Sequence, residues 1–318
     1  SMHNYATYIL DENKEEAVKY FKQAADKGYV ESIACYAECL NNGIGIEADK
    51  KEAFKYFKMA ALKGNVPSMY NYALFLYHGW EIEIDYKEAF KYFKKAMDGG
   101  QIEAIYNYAV MLLNGQGVAE NKKEALKYYK IAADKGHIES MFSYAYMMNN
   151  GISCDINFEE AAKYYKKAAD LGHLDSMRNY GILLQNGNGI PADEKEAAMI
   201  FKIAADAGHV ESMLSYALAL QFGKGIPIDL EKAAMYSKNA ADNGSLIGMI
   251  SYACLLLSGE GIQANYVEAA KYFKMAADAG SADAMKFYAT MLKEGIGIPK
   301  DENEAIKYEK MAVSFNKQ

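Results

Sequence analysis

Residues 102–136 read IEAIYNYAVMLLNGQGVAENKKEALKYYKIAADKG, and this stretch decides the fold. Its first part, roughly Ile102–Leu113, is largely apolar. Its second part, roughly Lys122–Lys135, carries Ala and Tyr side chains three and four positions apart, which is the spacing of one helix face. A glycine follows each part, at Gly115 and Gly136. The stretch therefore predicts two helices joined by a short loop.

The residues that flank the two helices are those that begin and end helices. Asn121 is followed three positions later by Glu124, which is the spacing of a capping box, in which both side chains close the first turn reciprocally. A glycine just past a helix supplies the left-handed conformation that ends it. Each unit is therefore predicted to be helix, glycine loop, helix, glycine turn.

The same pattern recurs every 36 residues along almost the whole chain of 318 residues. The apolar stripe of one hairpin is too wide to be buried alone, so neighbouring hairpins must stack. We predict an all-α solenoid of about eight 36-residue helix-turn-helix repeats, forming one domain over residues 1–318, with a partial first repeat at 3–27 and repeats over 28–315. Each copy is marked by a tyrosine, at Tyr36, Tyr72, Tyr108, Tyr144, Tyr180, Tyr216, Tyr252 and Tyr288.

The third copy carries the pattern Tyr108-Ala109, Gly115-x-Gly117, Glu124-Ala125, Tyr128, Ala132-Ala133 and Gly136. This pattern resembles the Sel-one-like repeat (SLR), a relative of the tetratricopeptide repeat. The resemblance implies a right-handed superhelical α-solenoid whose concave face is lined by the first helix of each hairpin. It also implies a role in assembling protein complexes.

The composition argues against several classes of function. A net charge of −7 argues against nucleic acid as a partner, because phosphate neutralisation dominates that binding. No run of 18 apolar residues occurs, so no membrane insertion is predicted. The four cysteines do not share a repeat position, which predicts reduced thiols and a cytoplasmic protein. Cys35 and Cys39 could form half of a metal site, but no second Cys or His pair completes it, so two buried small side chains are expected.

Residues that could carry chemistry also recur. His137, His173 and His209 lie 36 residues apart, just after a helix-ending glycine. Equivalent positions of adjacent hairpins should lie on the order of 18–20 Å apart, which is beyond the reach of one metal ion. No Ser-His-Asp or Cys-His arrangement occurs at helical or loop spacing. We therefore predict no enzyme activity, no catalytic residue, no metal site and no cofactor.

Two further features allow two interpretations each. Trp80, the only tryptophan, could mark a contact site or fold onto its own hairpin. A lysine that recurs on the second helices could bind an anionic surface, but a solvated convex face paired with nearby glutamates is expected. These lysines are Lys22, Lys58, Lys94, Lys130, Lys166, Lys202, Lys238, Lys274 and Lys310.

Variation between copies indicates a binding face on the first helices. The positions two before and two after the repeated tyrosine vary, and they lie four apart on one side of the helix. A row of Asn and Ser beside them could hydrogen-bond the backbone of an extended peptide. The same aromatic and aliphatic side chains could instead be core. The predicted partner-binding groove comprises Tyr70, Asn71, Leu74, Tyr77, Tyr106, Asn107, Val110, Phe142, Ser143, Tyr146, Arg178 and Asn179.

From these observations we predict a non-catalytic scaffold or adaptor that binds a protein or peptide segment in its concave groove. The alternative is a regulatory or docking repeat region of a larger multidomain signalling protein, because the first hairpin lacks about five loop residues. The oligomeric state does not follow from the sequence.

Overall fold

The computed structural model describes residues 2–315, which form eighteen α-helices and no strand. The predicted all-α fold of repeated helical hairpins is therefore confirmed. None of the helices in this part of the chain has the length and the hydrophobicity that crossing a bilayer requires. The helices are α1 (Met2–Ile9), α2 (Lys14–Asp26), α3 (Val30–Asn42), α4 (Lys50–Leu62), α5 (Val66–His78), α6 (Tyr86–Asp98), α7 (Ile102–Asn114), α8 (Lys122–Asp134), α9 (Ile138–Asn150), α10 (Phe158–Asp170), α11 (Leu174–Asn186), α12 (Glu194–Asp206), α13 (Val210–Phe222), α14 (Leu230–Asp242), α15 (Leu246–Ser258), α16 (Tyr266–Asp278), α17 (Ala282–Glu294) and α18 (Glu302–Phe315).

Two compact units make up the chain, Ser1–Ile156 and Asn157–Gln318. Within the N-terminal unit, α1 to α9, consecutive helices pack against one another. The helices α10 to α18 of the C-terminal unit pack in the same way. We call the odd-numbered helices first helices and the even-numbered ones second helices, after their order in the repeated sequence pattern.

Small and aromatic side chains form the core of each hairpin. Ala109 of α7 and Ala125 of α8 are fully buried, so these two helices can approach closely. Tyr108 packs edge-on against Tyr128 of the same hairpin, with ring centroids 4.9 Å apart. It also stacks on Phe90 of the preceding hairpin at 4.4 Å. Aromatic pairs in these geometries add to the stabilisation from burial, so the repeated tyrosine joins its hairpin to the preceding one.

The second helices begin with one half of the predicted capping box. The Asn121 side chain accepts a hydrogen bond from the Glu124 backbone N–H at 3.0 Å. The Asn121 backbone N–H donates to the Leu112 carbonyl at 2.8 Å, so it is not held by the glutamate. The Glu124 carboxylate lies 3.4 Å from the Lys127 ammonium. At this helix the prediction of reciprocal closure was wrong, because the loop ties the cap to the first helix of its own hairpin. At Asn13 and Asn265 the side-chain amide does donate to the glutamate, Glu16 or Glu268, whose backbone N–H it accepts from.

The recurrent lysines are largely exposed, as expected, but from Lys130 to Lys274 their ion-pair partners are aspartates. Lys238 contacts Asp242 at 2.7 Å in the C-terminal unit, four positions along the same helix. Lys130 makes the equivalent contact with Asp134 at 2.9 Å in the N-terminal unit. The expected pairing with glutamate was wrong at these positions, because Glu124 sits in the first turn and contacts a lysine there. A surface of closely spaced opposite charges does not favour an anionic ligand.

Candidate partner-binding face

The first helices α5, α7 and α9 of the N-terminal unit present the face that sequence variation indicates. We call it the first-helix face and define it by the predicted residues of this unit. Every one of them is half-buried or exposed, and Tyr146 is 47% exposed. The face is therefore not part of the closed core. Its members are Tyr70, Asn71, Leu74, Tyr77, Tyr106, Asn107, Val110, Phe142, Ser143 and Tyr146.

Phenol and amide groups connect neighbouring helices across this face. The Asn107 side-chain amide donates to the Tyr70 hydroxyl at 3.3 Å and to the Glu103 carbonyl at 2.9 Å. Burial raises the pKa of Tyr106, and a hydrogen bond with Ser143 partly offsets that rise. The predicted Asn/Ser row is thus partly occupied by tyrosines of the preceding hairpin. At Asn107 both amide protons are used, so only its side-chain oxygen remains to accept from a ligand.

The apolar members of the face differ in how firmly they are held. Tyr77 donates to Gln116 at 3.1 Å and packs beside Tyr86, with ring centroids 5.5 Å apart. It therefore supports the loop of the following hairpin. Phe142 and Tyr146 lie one turn apart on α9, with ring centroids 6.1 Å apart. These two rings form the more accessible aromatic surface, because Tyr146 is exposed and Phe142 is only half-buried.

Arg178 and Asn179 lie on α11 of the C-terminal unit, and both are half-buried. The buried Nε of Arg178 has no hydrogen-bond partner among the described residues. An unsatisfied buried donor is costly, and this Nε is closed to solvent, so a ligand could reach it only if the Arg178 side chain moved. The structure places these two predicted residues in a different unit from the first-helix face.

The C-terminal unit has a shallow cavity of its own between two first helices. Its volume is about 590 Å³, and Ile247, Ile250 and Phe287 supply its apolar lining. Ile247 is 65% exposed and Phe287 is 43% exposed. An ion pair between Lys286 and Asp283 at 3.1 Å forms part of the rim. Ile250, Lys286 and Thr290 of its lining lie at the two variable positions, but the predicted groove did not extend to these copies, and Ile247 and Phe287 lie at neither position.

The three regularly spaced histidines stand at helix N-cap positions, and the side chains of His137 and His173 make the capping hydrogen bond. The ring Nδ1 of His137 accepts from the Ser140 backbone N–H at 3.2 Å, which requires the neutral imidazole. His173 caps Ser176 at 3.1 Å in the same way. The signal for this role was present in the sequence as a serine three positions after each histidine, and it was overlooked. Burial lowers the pKa of His137, which favours the neutral form that the cap needs.

His209 adds a contact between hairpins. Its Nδ1 lies 2.8 Å from the Ser212 hydroxyl, and its Nε2 lies 3.1 Å from the Asp175 carboxylate of the preceding hairpin. Among residues 2–315, no three His, Cys, Asp or Glu side chains come close enough to share a metal ion. Each of these histidines has a structural task.

Trp80 folds onto its own hairpin. Its ring stacks on His78 at 4.6 Å and meets Phe75 edge-on at 5.4 Å. The Lys50 ammonium lies over the ring at 5.6 Å. The indole ring of Trp80 is therefore packed against residues of the chain itself.

Comparison with known proteins places this geometry in a family. The family model described as Sel1 repeat matches residues 1–29, 32–65, 66–101, 102–137, 138–173, 174–209, 210–245, 247–281 and 282–313. These nine segments cover nearly the whole chain, and the resemblance read from the sequence is confirmed. No curated protein has a significantly similar sequence.

Solved structures share the fold. A protective antigen of uropathogenic Escherichia coli strains that displays an SLR fold is 24% identical, with a TM-score of 0.85 over 93% of this chain. This chain spans 64% of the length of that antigen. A Sel1 repeat protein from Oxalobacter formigenes is 22% identical, with a TM-score of 0.74 over 93% of this chain and 86% of that one.

Proposed function

The chain belongs to the Sel1 repeat family, and on that premise we propose that it is a non-catalytic scaffold that binds a peptide or protein segment along the first-helix face. The Sel1 repeat is a non-enzymatic scaffold fold, and proteins built from it generally act in protein–protein interaction. Stacked hairpins suit this role, because they present extended surfaces without a closed cavity.

The observation that carries the proposal is the accessible aromatic surface on α9. Tyr146 is 47% exposed beside the half-buried Phe142, whereas the tyrosine that recurs in every copy is buried. Aromatic side chains contribute disproportionately to interfaces, because they bury a large area at little cost in side-chain entropy. Val110 and Leu74 extend the apolar surface along α7 and α5.

The test is the double variant F142A/Y146A. Interface aromatics of this kind contribute about 2–4 kcal/mol, so binding to the captured partner should weaken by roughly 30-fold or more. Tyr106 is left in place, since it packs against Tyr129 at 5.8 Å and its loss would also destabilise the fold. The melting temperature should change little, because Tyr146 already faces solvent.

The matched control is Y8A/Y29A, which removes two exposed tyrosines of the same unit. Tyr8 is 75% exposed and Tyr29 is 56% exposed, and both lie off the first-helix face. Partners are captured from the native lysate, identified by mass spectrometry and titrated by calorimetry against all three proteins. Equal binding by wild type and F142A/Y146A would refute the proposal, and a large fall in melting temperature would assign the rings to the core.

A docking region of a larger multidomain signalling protein is the alternative proposal. It would use the same face, so the variants above do not separate the two. The sequence of the full-length gene does, because a catalytic domain beside the repeats would decide for the alternative.

A further inference from the structure

Charge is divided between the two kinds of helix in the N-terminal unit. The first helices α1, α3, α5, α7 and α9 contain no lysine or arginine over their described ranges. Their acidic residues are Glu31, Glu38, Glu103 and Glu139. By contrast, each of the second helices α2, α4, α6 and α8 carries three or four lysines. The net charge of the chain does not reveal this division, because it sums the charges of both sets of helices.

The carboxylates act on the groups that line the first-helix face. Burial raises the pKa of Tyr106, and Glu139 raises it further. Burial also raises the pKa of Tyr70, a hydrogen bond with Asn107 partly offsets that rise, and Glu103 adds a smaller rise. Burial also raises the pKa of Glu38 itself. Glu38 lies on α3, outside the first-helix face, so Glu103 and Glu139 are the carboxylates that would attract a cation brought to that face.

Two of these carboxylates line the same cavity at the edge of the first-helix face. Glu103 and Glu139 line a cavity of about 330 Å³ that also contains His137. The His137 ring lies 5.0 Å from the ring of Tyr106, which places the cavity at the edge of the first-helix face. Lys135 is the single cationic residue in the lining, and it is exposed. His137 is neutral while it caps Ser140, so the lining has a net negative charge.

We propose that the first-helix face takes a cationic peptide segment, in which Lys or Arg side chains enter the Glu103–Glu139 cavity and apolar side chains cover Phe142 and Tyr146. This inference rests on the proposed function and names the chemistry of the partner. Aromatic rings and carboxylates together favour such a ligand, because a guanidinium or ammonium is attracted to both. An anionic segment would meet like charges on every helix of the face that carries a charge.

The probe is a library of random 12-residue peptides displayed on phage and selected on the immobilised full chain. The selected peptides should be net positive, and their binding should be lost on F142A/Y146A. The charge-reversed variant E103K/E139K should bind the selected peptides about tenfold or more weakly, because two attractive pairs become repulsive. If charge reversal disturbs folding, the milder variant E103Q/E139Q replaces it, and the selected peptides should bind this variant more weakly than wild type.

The control for non-specific attraction is E15K/E159K. It changes the net charge by the same amount, and Glu15 and Glu159 are exposed residues at the second position of α2 and α10. Glu103 and Glu139 hold the same position in α7 and α9, so the cost to the helix N-terminus is matched. The selected peptides should bind E15K/E159K as they bind wild type.

The possible outcomes separate the two proposals. Neutral or acidic peptides that depend on Phe142 and Tyr146 would overturn the cationic partner and leave the scaffold proposal intact. Basic peptides that bind E103K/E139K and wild type alike, or that are weakened equally by E15K/E159K, would also overturn it. A selection that enriches nothing over F142A/Y146A would overturn both proposals.

Discussion

The glycines of the repeat have different tasks. Gly115 ends α7 with a φ of +66°, and Gly136 ends the hairpin with a φ of +95°. Nothing lies within 4 Å of the position that a Cβ on Gly136 would occupy. Gly117, with a φ of +71°, is different, because its Cβ would overlap the Tyr86 carbonyl at the start of α6. Gly136 therefore serves backbone conformation alone, whereas Gly117 also lets one hairpin touch the preceding one.

We expect the variants G136A and G117A to differ in stability. G136A should lower the free energy of unfolding by about 1 kcal/mol, the cost of a left-handed alanine. G117A should cost about 2–4 kcal/mol, because overpacking adds to the same backbone strain. Urea denaturation followed by circular dichroism measures both. Equal losses would mean that the loop does not approach α6 as closely as the structure shows.

At the scale of helices, a repeated network joins successive second helices of the C-terminal unit. Asp242 ends α14 and accepts from Lys238 of its own helix at 2.7 Å. It also accepts from the Tyr272 hydroxyl of α16 at 3.0 Å. Asp278 accepts from Tyr308 of α18 at 2.6 Å in the same manner. Each aspartate thus fixes the position of the next hairpin at the exposed end of the second helix.

We expect D242A to cost about 1 kcal/mol at neutral pH, since an exposed ion pair contributes little and the tyrosine bond supplies the rest. The hydrogen bond from Lys238 lowers the pKa of Asp242. The stabilisation should therefore be complete above the unfolded pKa of about 3.9 and disappear as pH falls through the lower folded pKa. Thermal melting of wild type and D242A across acidic pH measures this.

The variant K238A is the matched control for the Asp242 network. It removes the ion pair and keeps the bond between Tyr272 and Asp242, so it should cost only a few tenths of a kcal/mol. A D242A protein as stable as wild type at every pH would contradict the role given to the network.

At the scale of the whole molecule, the four cysteines report on redox state. All four are free thiols: Cys39 is buried, Cys35 and Cys154 are half-buried, and Cys254 is exposed. Burial raises the pKa of Cys35 and of Cys39 to about 11, with further contributions from nearby acidic groups. Since the thiolate is the reactive form, native-state labelling at neutral pH should be slow at both.

All four thiols should react with a chromogenic disulfide reagent in denaturant without prior reduction. In the native protein Cys254 should react first and Cys39 last, because exposure and thiolate content both favour that order. Detection of two thiols or fewer in denaturant would indicate a disulfide and an oxidising compartment.

The sequence by itself determined the period, the helices and their ends. Asn121 begins α8 and Gly115 ends α7 as the pattern predicts, because caps act on backbone groups within a few residues. It also indicated which positions of the first helices vary, and it contained the division of charge between first and second helices. Local chemistry of this kind needs no knowledge of the neighbouring hairpin.

Only the tertiary structure decided what those positions contact. The amide of Asn107 is used by Tyr70, which lies 37 residues earlier. Tyr146 is exposed, whereas Tyr144 is buried two positions away. Glu103 and Glu139 share one cavity although 36 residues separate them. Which residues are exposed and which share a cavity depends on the distance between adjacent hairpins. The packing of side chains from separate repeats sets that distance.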